Sequence, residues 1–227
     1  MSMIKLAIFD MAGTTINENN IVYKTVQKVI NDLGYQVSLE NVLKFGAGKE
    51  KYQAITDVLI NCTNSVSVPR EAETAFEAFK HALREAYDKL EISTFDGMLS
   101  FFKKLRENEI YIVLNTGYNA EIATKLLAKL DWKIGKEIDL LITADDVTKG
   151  RPAPNMIYKA MQHFNITDVA KVLKAGDSEI DIIEGKNANC GITVGVLSGA
   201  QTRNQLEATK PDYILNVITE LEDILID

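Results

Sequence analysis

Short apolar runs at residues 5–9, 111–114, 140–142, 172–175, 192–196 and 213–215 punctuate the chain, each ending at polar or turn-forming residues. Runs of this length that stay apolar rather than alternate read as strands buried on both faces. Between them apolar residues recur at helical spacing: Leu99, Phe102 and Leu105; Ile122, Leu126, Leu127 and Leu130; Met156, Ile157, Ala160 and Met161; Ile180, Ile183 and Ala188. Strands alternating with helices predict right-handed βαβ units and a doubly wound, parallel α/β sheet. The rhythm breaks over residues 17–95. No strand is expected there, and Val22, Val26, Val29 and Leu33 ahead of Gly34, then residues 52–60 and 72–90, read as helices. The expected organisation is a sheet core of residues 1–16 and 96–227 with a helical domain, 17–95, inserted after the first strand.

Composition narrows the partners. With 227 residues, 46% of them hydrophobic, the chain can bury a full core. A net charge of -7 argues against nucleic acid and against an anionic membrane surface, since neither attracts an acidic protein. A small substrate is expected instead. The isolated Cys62 and Cys190 read as reduced thiols, and the apolar run at the N-terminus is too short for a signal core or a spanning helix, so a cytoplasmic location is expected.

Parallel α/β sheets bind ligands at the carboxyl ends of their strands. The first strand ends in Asp10-Met11-Ala12-Gly13-Thr14-Thr15, the second in Asn115-Thr116-Gly117-Tyr118. The third leads to Asp145-Asp146 and Lys149-Gly150-Arg151-Pro152, the fourth to Gly176-Asp177-Ser178-Glu179-Ile180-Asp181. Each alone reads as an N-cap for the helix that follows. Together they make the set that phosphoryl transfer requires: a carboxylate nucleophile, donors and a cation for the phosphoryl oxygens, and acids for a hard divalent metal. Asp10 is then the nucleophile, and Asp177, supported by Asp181, holds Mg2+. Thr116 and the Gly117 amide bind phosphoryl oxygens, and Arg151 pairs through its planar fork with nucleophile and phosphate.

These residues, in this order and across most of the chain, resemble the four motifs of the haloacid dehalogenase superfamily. The resemblance implies a Rossmann-like catalytic core with an inserted helical cap domain, phosphorylation of Asp10, and Mg2+ held by Asp10, by the Ala12 main-chain carbonyl and by the acid at Asp177. It also implies a cap that closes over a small phosphorylated or phosphonate substrate. One departure is informative. Where most phosphatases of the superfamily carry a second aspartate, the general acid that protonates the leaving alcohol, this chain has Ala12. Such an acid contributes about 10² to 10⁴ in rate.

Alanine at that position, with Thr116-Gly117-Tyr118 and Gly150-Arg151-Pro152-Ala153-Pro154, resembles the phosphonatases, which cleave the carbon–phosphorus bond of phosphonoacetaldehyde. In that branch a cap lysine forms a Schiff base with the aldehyde. Lys49, in Phe45-Gly46-Ala47-Gly48-Lys49, is the candidate, with glycines to let its loop enter the site. Lys44 and Lys51 would favour its unprotonated form by like-charge repulsion. The branch's methionine and histidine around that lysine are replaced here by Phe45 and Tyr52. The readings left open are an Mg2+-dependent phosphohydrolase acting through Asp10, a phosphonoacetaldehyde hydrolase acting also through Lys49, and a phosphate-binding module without turnover. The phosphonatases pair through cap helices, so both a monomer and a homodimer are compatible.

Overall fold

The structure, a computed structural model, describes residues 4–47 and 49–226. It divides into two compact units, one made of the residues up to Asn17 together with Ile92 onward, the other Glu18–Glu91.

In the first unit the strands are β1 (Leu6–Phe9), β2 (Ile16–Asn17), β3 (Ser93–Thr94), β4 (Tyr111–Asn115), β5 (Leu140–Ile142), β6 (Val172–Gly176), β7 (Ile192–Val196) and β8 (Tyr213–Leu215). All six strands expected from the apolar runs form one sheet in the order β5-β4-β1-β6-β7-β8. Every pairing in it is parallel. The chain winds outward from β1 through β4 to β5, then crosses back and winds through β6 to β8. The topological switch point therefore lies at β1, between β4 and β6. β2 and β3 pair antiparallel where the chain leaves and re-enters this unit. They were not expected because two-residue strands carry no periodicity.

The second unit contains four helices, α1 (Ile21–Asn31), α2 (Leu39–Gly46), α3 (Lys51–Cys62) and α4 (Val68–Lys89). α1 buries Val22, Val26, Val29 and Ile30, and α4 buries Ala72, Ala75, Phe79, Leu83 and Tyr87, the stripes their spacing requires. α2 went unexpected from periodicity, although Ser38 caps it by accepting from Asn41 N. Gly46 belongs to the last turn of α2 rather than to a flexible loop. A Cβ there would meet Ala54 Cβ of α3 at 3.2 Å, so the glycine serves close helix packing. Gly48 lies outside the described residues.

The remaining helices flank the sheet: α5 (Met98–Glu107), α6 (Ala120–Lys129), α7 (Asn155–His163), α8 (Glu179–Ala188), α9 (Arg203–Ala208) and the short α10 (Glu222–Leu225). Side chains alternate across a strand, and β1 is buried throughout because both faces are covered. Leu6 and Ile8 join Met156, Ile157 and Ala160 of α7 on one face. On the other, Phe9 lies 5.9 Å and 6.0 Å, centroid to centroid, from Phe101 and Phe102 of α5. One helical face differs from expectation. α8 buries Asp181, Ile182, Glu184, Gly185 and Ala188, while Ile180 and Ile183 are only half-buried. The reason lies in the strand beneath it, where Lys174 demands acidic partners. Among the described residues no helix is long and apolar enough to cross a membrane.

Candidate active site

The loops after β1, β4 and β6 converge at the switch point. Asp10 follows β1 directly, and its amide continues the ladder by donating to Ala175 O at 3.0 Å. The turn beyond it is closed by Thr14, Thr15 and Ile16 amides donating back to Met11 O, and Gly13 takes φ +75°, a region few other residues enter cheaply. Thr15 Oγ1 donates to Asp10 O at 3.0 Å, and Ser198 Oγ, from the loop after β7, donates to Gly13 O at 2.6 Å. Ala12, the position without an acid, sits in this turn.

Three carboxylates meet here. Oxygens of Asp10, Asp177 and Asp181 lie within 4.8 Å of one another, and all three side chains are buried. Arg151 enters from the loop ahead of α7, where its bond to Pro152 is cis. Its Nη1 donates to Asp10 Oδ1 at 2.7 Å and to Asp181 Oδ1 at 2.5 Å. Its Nη2 faces Gly117, where a Cβ would stand 3.3 Å away. The adjacent Thr116 is buried, and its Oγ1 accepts from Tyr118 N at 3.2 Å. Asp177 Oδ2 accepts from Ala200 N at 2.7 Å, and a Cβ on Gly199 would overlap that oxygen at 1.9 Å. The loop of Ser198, Gly199 and Ala200 thus clasps both the Asp10 turn and Asp177, although its sequence signals only a strand-ending turn.

Burial beside like charges shapes the electrostatics. Burial raises the Asp10 carboxyl, opposed chiefly by the Arg151 guanidinium. Burial and the charges of Asp10 and Asp181 push Asp177 up to about 8. Burial would raise Asp181 as well, but Lys174 and Arg151 outweigh it and hold that carboxyl well below the usual range. Arg151 is desolvated, yet Asp181, Asp10 and Glu184 keep it firmly charged.

Beneath the site lies a set of buried charges that the sequence pattern does not reveal. Lys174, fully buried in β6, donates to Asp181 Oδ1 at 2.8 Å and Asn115 Oδ1 at 2.7 Å, and lies 3.6 Å from Glu184 Oε2. Asn115 Nδ2 donates to both oxygens of the equally buried Glu184, at 3.0 Å and 2.9 Å. The available signal was a lysine inside an apolar strand run. Counted together, Asp10, Asp177, Asp181 and Glu184 face the two cations Arg151 and Lys174. With all four acids ionised, as a bound cation would require, two negative charges are uncompensated in a buried place, a donor set that fits a hard divalent cation.

The structure therefore brings together Asp10, Gly117, Arg151, Asp177 and Asp181, with Thr116 next to Gly117 in the chain. Asp145 and Asp146 are engaged elsewhere: Asp145 Oδ2 accepts from Ala120 N, and Asp146 closes a capping box with Thr143 and pairs with Lys159. Lys49 belongs to the helical unit. Its Nζ donates to Asp57 Oδ2 at 2.5 Å, and Asp57 Oδ1 accepts from Gln53. Lys51 Nζ donates to Lys49 O, and Lys44 Nζ lies over the Phe45 ring.

The chain is similar to known proteins. A phosphonoacetaldehyde hydrolase from Latilactobacillus sakei is 27% identical over an alignment 265 positions long, gaps included, which covers 99% of this chain and 96% of the relative. A pyrophosphatase, PpaX, from Bacillus mycoides is 28% identical over 223 residues, covering 98% and 97%. Among solved structures, a phosphonoacetaldehyde hydrolase-like protein from Oleispira antarctica superposes with a TM-score of 0.80 at 21% identity, covering 98% of this chain and 91% of that one. The family model for haloacid dehalogenase-like hydrolases matches residues 7–196, a span that runs from β1 through β7 and holds Asp10, Thr116, Arg151, Asp177 and Asp181. By that match, and by the buried acids at the sheet's switch point, the chain belongs to the haloacid dehalogenase-like hydrolases.

Proposed function

We propose that this protein is an Mg2+-dependent hydrolase of a small organophosphorus compound that acts through an aspartyl phosphate at Asp10. The observation that carries the reading is the Arg151 guanidinium bonded to Asp10 inside a cluster of buried acids at the carboxyl ends of the strands. A carboxylate oxygen of Asp10 forms the bond to phosphorus as the bond to the leaving group breaks, and water then attacks the phosphoryl group to free Asp10. Thr116 and the Gly117 amide hold phosphoryl oxygens, and Arg151 orients Asp10 while offsetting the charge on those oxygens. Asp10, Asp177, Asp181 and the Ala12 carbonyl would hold Mg2+, which when bound supplies further charge to offset the phosphoryl group. The helical unit acts as the cap that selects the substrate. Ala12 gives the leaving group no proton, so substrates whose leaving group departs unaided are preferred: acyl phosphates, or a phosphonate activated at carbon.

A second reading, carbon–phosphorus cleavage of phosphonoacetaldehyde, is favoured by the full-length similarity to a phosphonoacetaldehyde hydrolase and by Ala12. In it the Lys49 amine, released from Asp57, condenses with the aldehyde with loss of water; as phosphorus passes to Asp10 the protonated imine accepts the electron pair of the breaking carbon–phosphorus bond, and the resulting enamine takes a proton and is hydrolysed to acetaldehyde and free Lys49. The test is phosphate release from phosphonoacetaldehyde, acetyl phosphate and a panel of monoesters with Mg2+, for wild type and Lys49→Arg. Release from phosphonoacetaldehyde that vanishes in Lys49→Arg establishes the second reading. Release from acyl phosphates, indifferent to Lys49, establishes the first, and no turnover of any substrate overturns both.

A further inference from the structure

We propose that Lys174, Glu184 and Asn115 form a buried positioning device that fixes Arg151 on Asp10 by way of Asp181. The inference rests on the roles given to Asp10 and Arg151 above. An ammonium in the middle of a strand, fully buried between Leu173 and Ala175, is costly unless every donor is used. Lys174 uses three: on Asn115 Oδ1, on Asp181 Oδ1 and on Ala175 O at 3.2 Å. The fold makes room for it. A Cβ on Gly185 would stand 3.0 Å from Lys174 Cβ, so the helix above carries a glycine where the lysine stem passes.

The connectivity is what gives these residues a function beyond packing. Glu184 is bonded through both oxygens to Asn115, whose carbonyl takes Lys174. Lys174 shares a single oxygen, Asp181 Oδ1, with Arg151, while Ser178 Oγ holds Asp181 Oδ2 at 2.6 Å. Arg151 in turn reaches Asp10. Without Lys174, Asp181 and Glu184 together would draw the guanidinium away from Asp10. With it, their charge is divided, and the arginine remains available to the nucleophile and to the phosphoryl oxygens. Buried ion pairs add little net stability over apolar residues of the same shape, so packing alone does not account for four buried polar side chains here.

The test is a double-mutant cycle. Lys174→Met/Glu184→Gln removes both charges at once, and Asn115→Ser keeps both while breaking the bridge. Each is made in wild type and in Arg151→Lys, with melting temperature measured throughout. The readouts are Mg2+-dependent turnover of acetyl phosphate and calorimetric binding of inorganic phosphate. If the device acts through Arg151, each variant loses about 10- to 100-fold in turnover or in phosphate affinity in the wild-type background, as for residues that orient a site from behind. In Arg151→Lys the further loss is below about threefold, because the planar fork that the device orients is already gone. Equal losses in both backgrounds, or no loss in wild type, overturn the proposal. A wild-type protein that binds phosphate without turning over any substrate would defeat the proposed function, yet the phosphate-binding cycle would still decide this inference.

Discussion

Gly199 offers a steric test of the acid cluster. It has no positive φ, so its backbone accepts a side chain, and only space forbids one. A Cβ there would lie 1.9 Å from Asp177 Oδ2 and 2.4 Å from both Asp177 Cβ and Cγ. Relief to ordinary contact requires the carboxylate or the loop to move by more than about 1 Å, since carbon atoms pack at about 3.5–4.0 Å. That shift breaks the 2.7 Å bond from Ala200 N to Asp177 Oδ2. A hydrogen bond to a charged group contributes about 1.5–3 kcal/mol. Lost from the Mg2+-bound state, it corresponds to a weakening of about 10- to 150-fold. Gly199→Ala is therefore expected to raise the Mg2+ concentration for half-maximal turnover of acetyl phosphate by that factor, with calorimetric Mg2+ affinity falling in parallel. A folded Gly199→Ala protein with wild-type Mg2+ dependence and wild-type kcat would refute the assignment of Asp177 to the metal.

Asp10→Asn is expected to lower steady-state turnover by on the order of 10⁴-fold or more, as removal of a covalent nucleophile does; near-wild-type phosphate release would end the assignment of Asp10. Ala12→Asp supplies the missing acid and is expected to raise turnover of phosphate monoesters by about 10²-fold or more, measured as p-nitrophenyl phosphate against an alkyl phosphate. A gain confined to the activated ester would contradict a role in protonating the leaving group. The pH dependence has a definite sign. The Asp177 carboxyl moves from 3.8 to about 8 in the metal-free fold, so the folded protein holds a proton that the unfolded chain releases. Metal-free stability therefore falls as pH rises from 3.8 through about 8. Mg2+ must displace that proton, so its affinity rises with pH until about 8 and levels off above it. Calorimetry at pH 7 in buffers of different ionisation enthalpy should report proton release on Mg2+ binding; identical heats would contradict it.

Local pattern was sufficient for much of this molecule. A strand buried on both faces must be apolar throughout, so the six core strands stand out as short runs, and Asp10, Thr116 and Asp177 are legible as the polar residues that follow three of them. The family resemblance rested on those same segments. What the local pattern omitted are the partners of buried charge. Lys174 meets Asn115 from 59 residues away and Asp181 from only 7, yet neither pairing is visible in spacing, because the electrostatic demand of a buried ammonium names no partner. The buried face of α8 turned toward Asp181 and Glu184, against the apolar reading of Ile180 and Ile183, for that same reason. Lys49 likewise pairs with Asp57, eight residues on, a partner its spacing does not name. The sequence by itself determined which segments form the sheet and which residues stand at its carboxyl edge, since both follow from local hydrophobicity and turn chemistry. Only the tertiary structure decided which charges share a hydrogen bond and which glycine makes room for Asp177, because burial and contact are properties of segments brought together from across the chain.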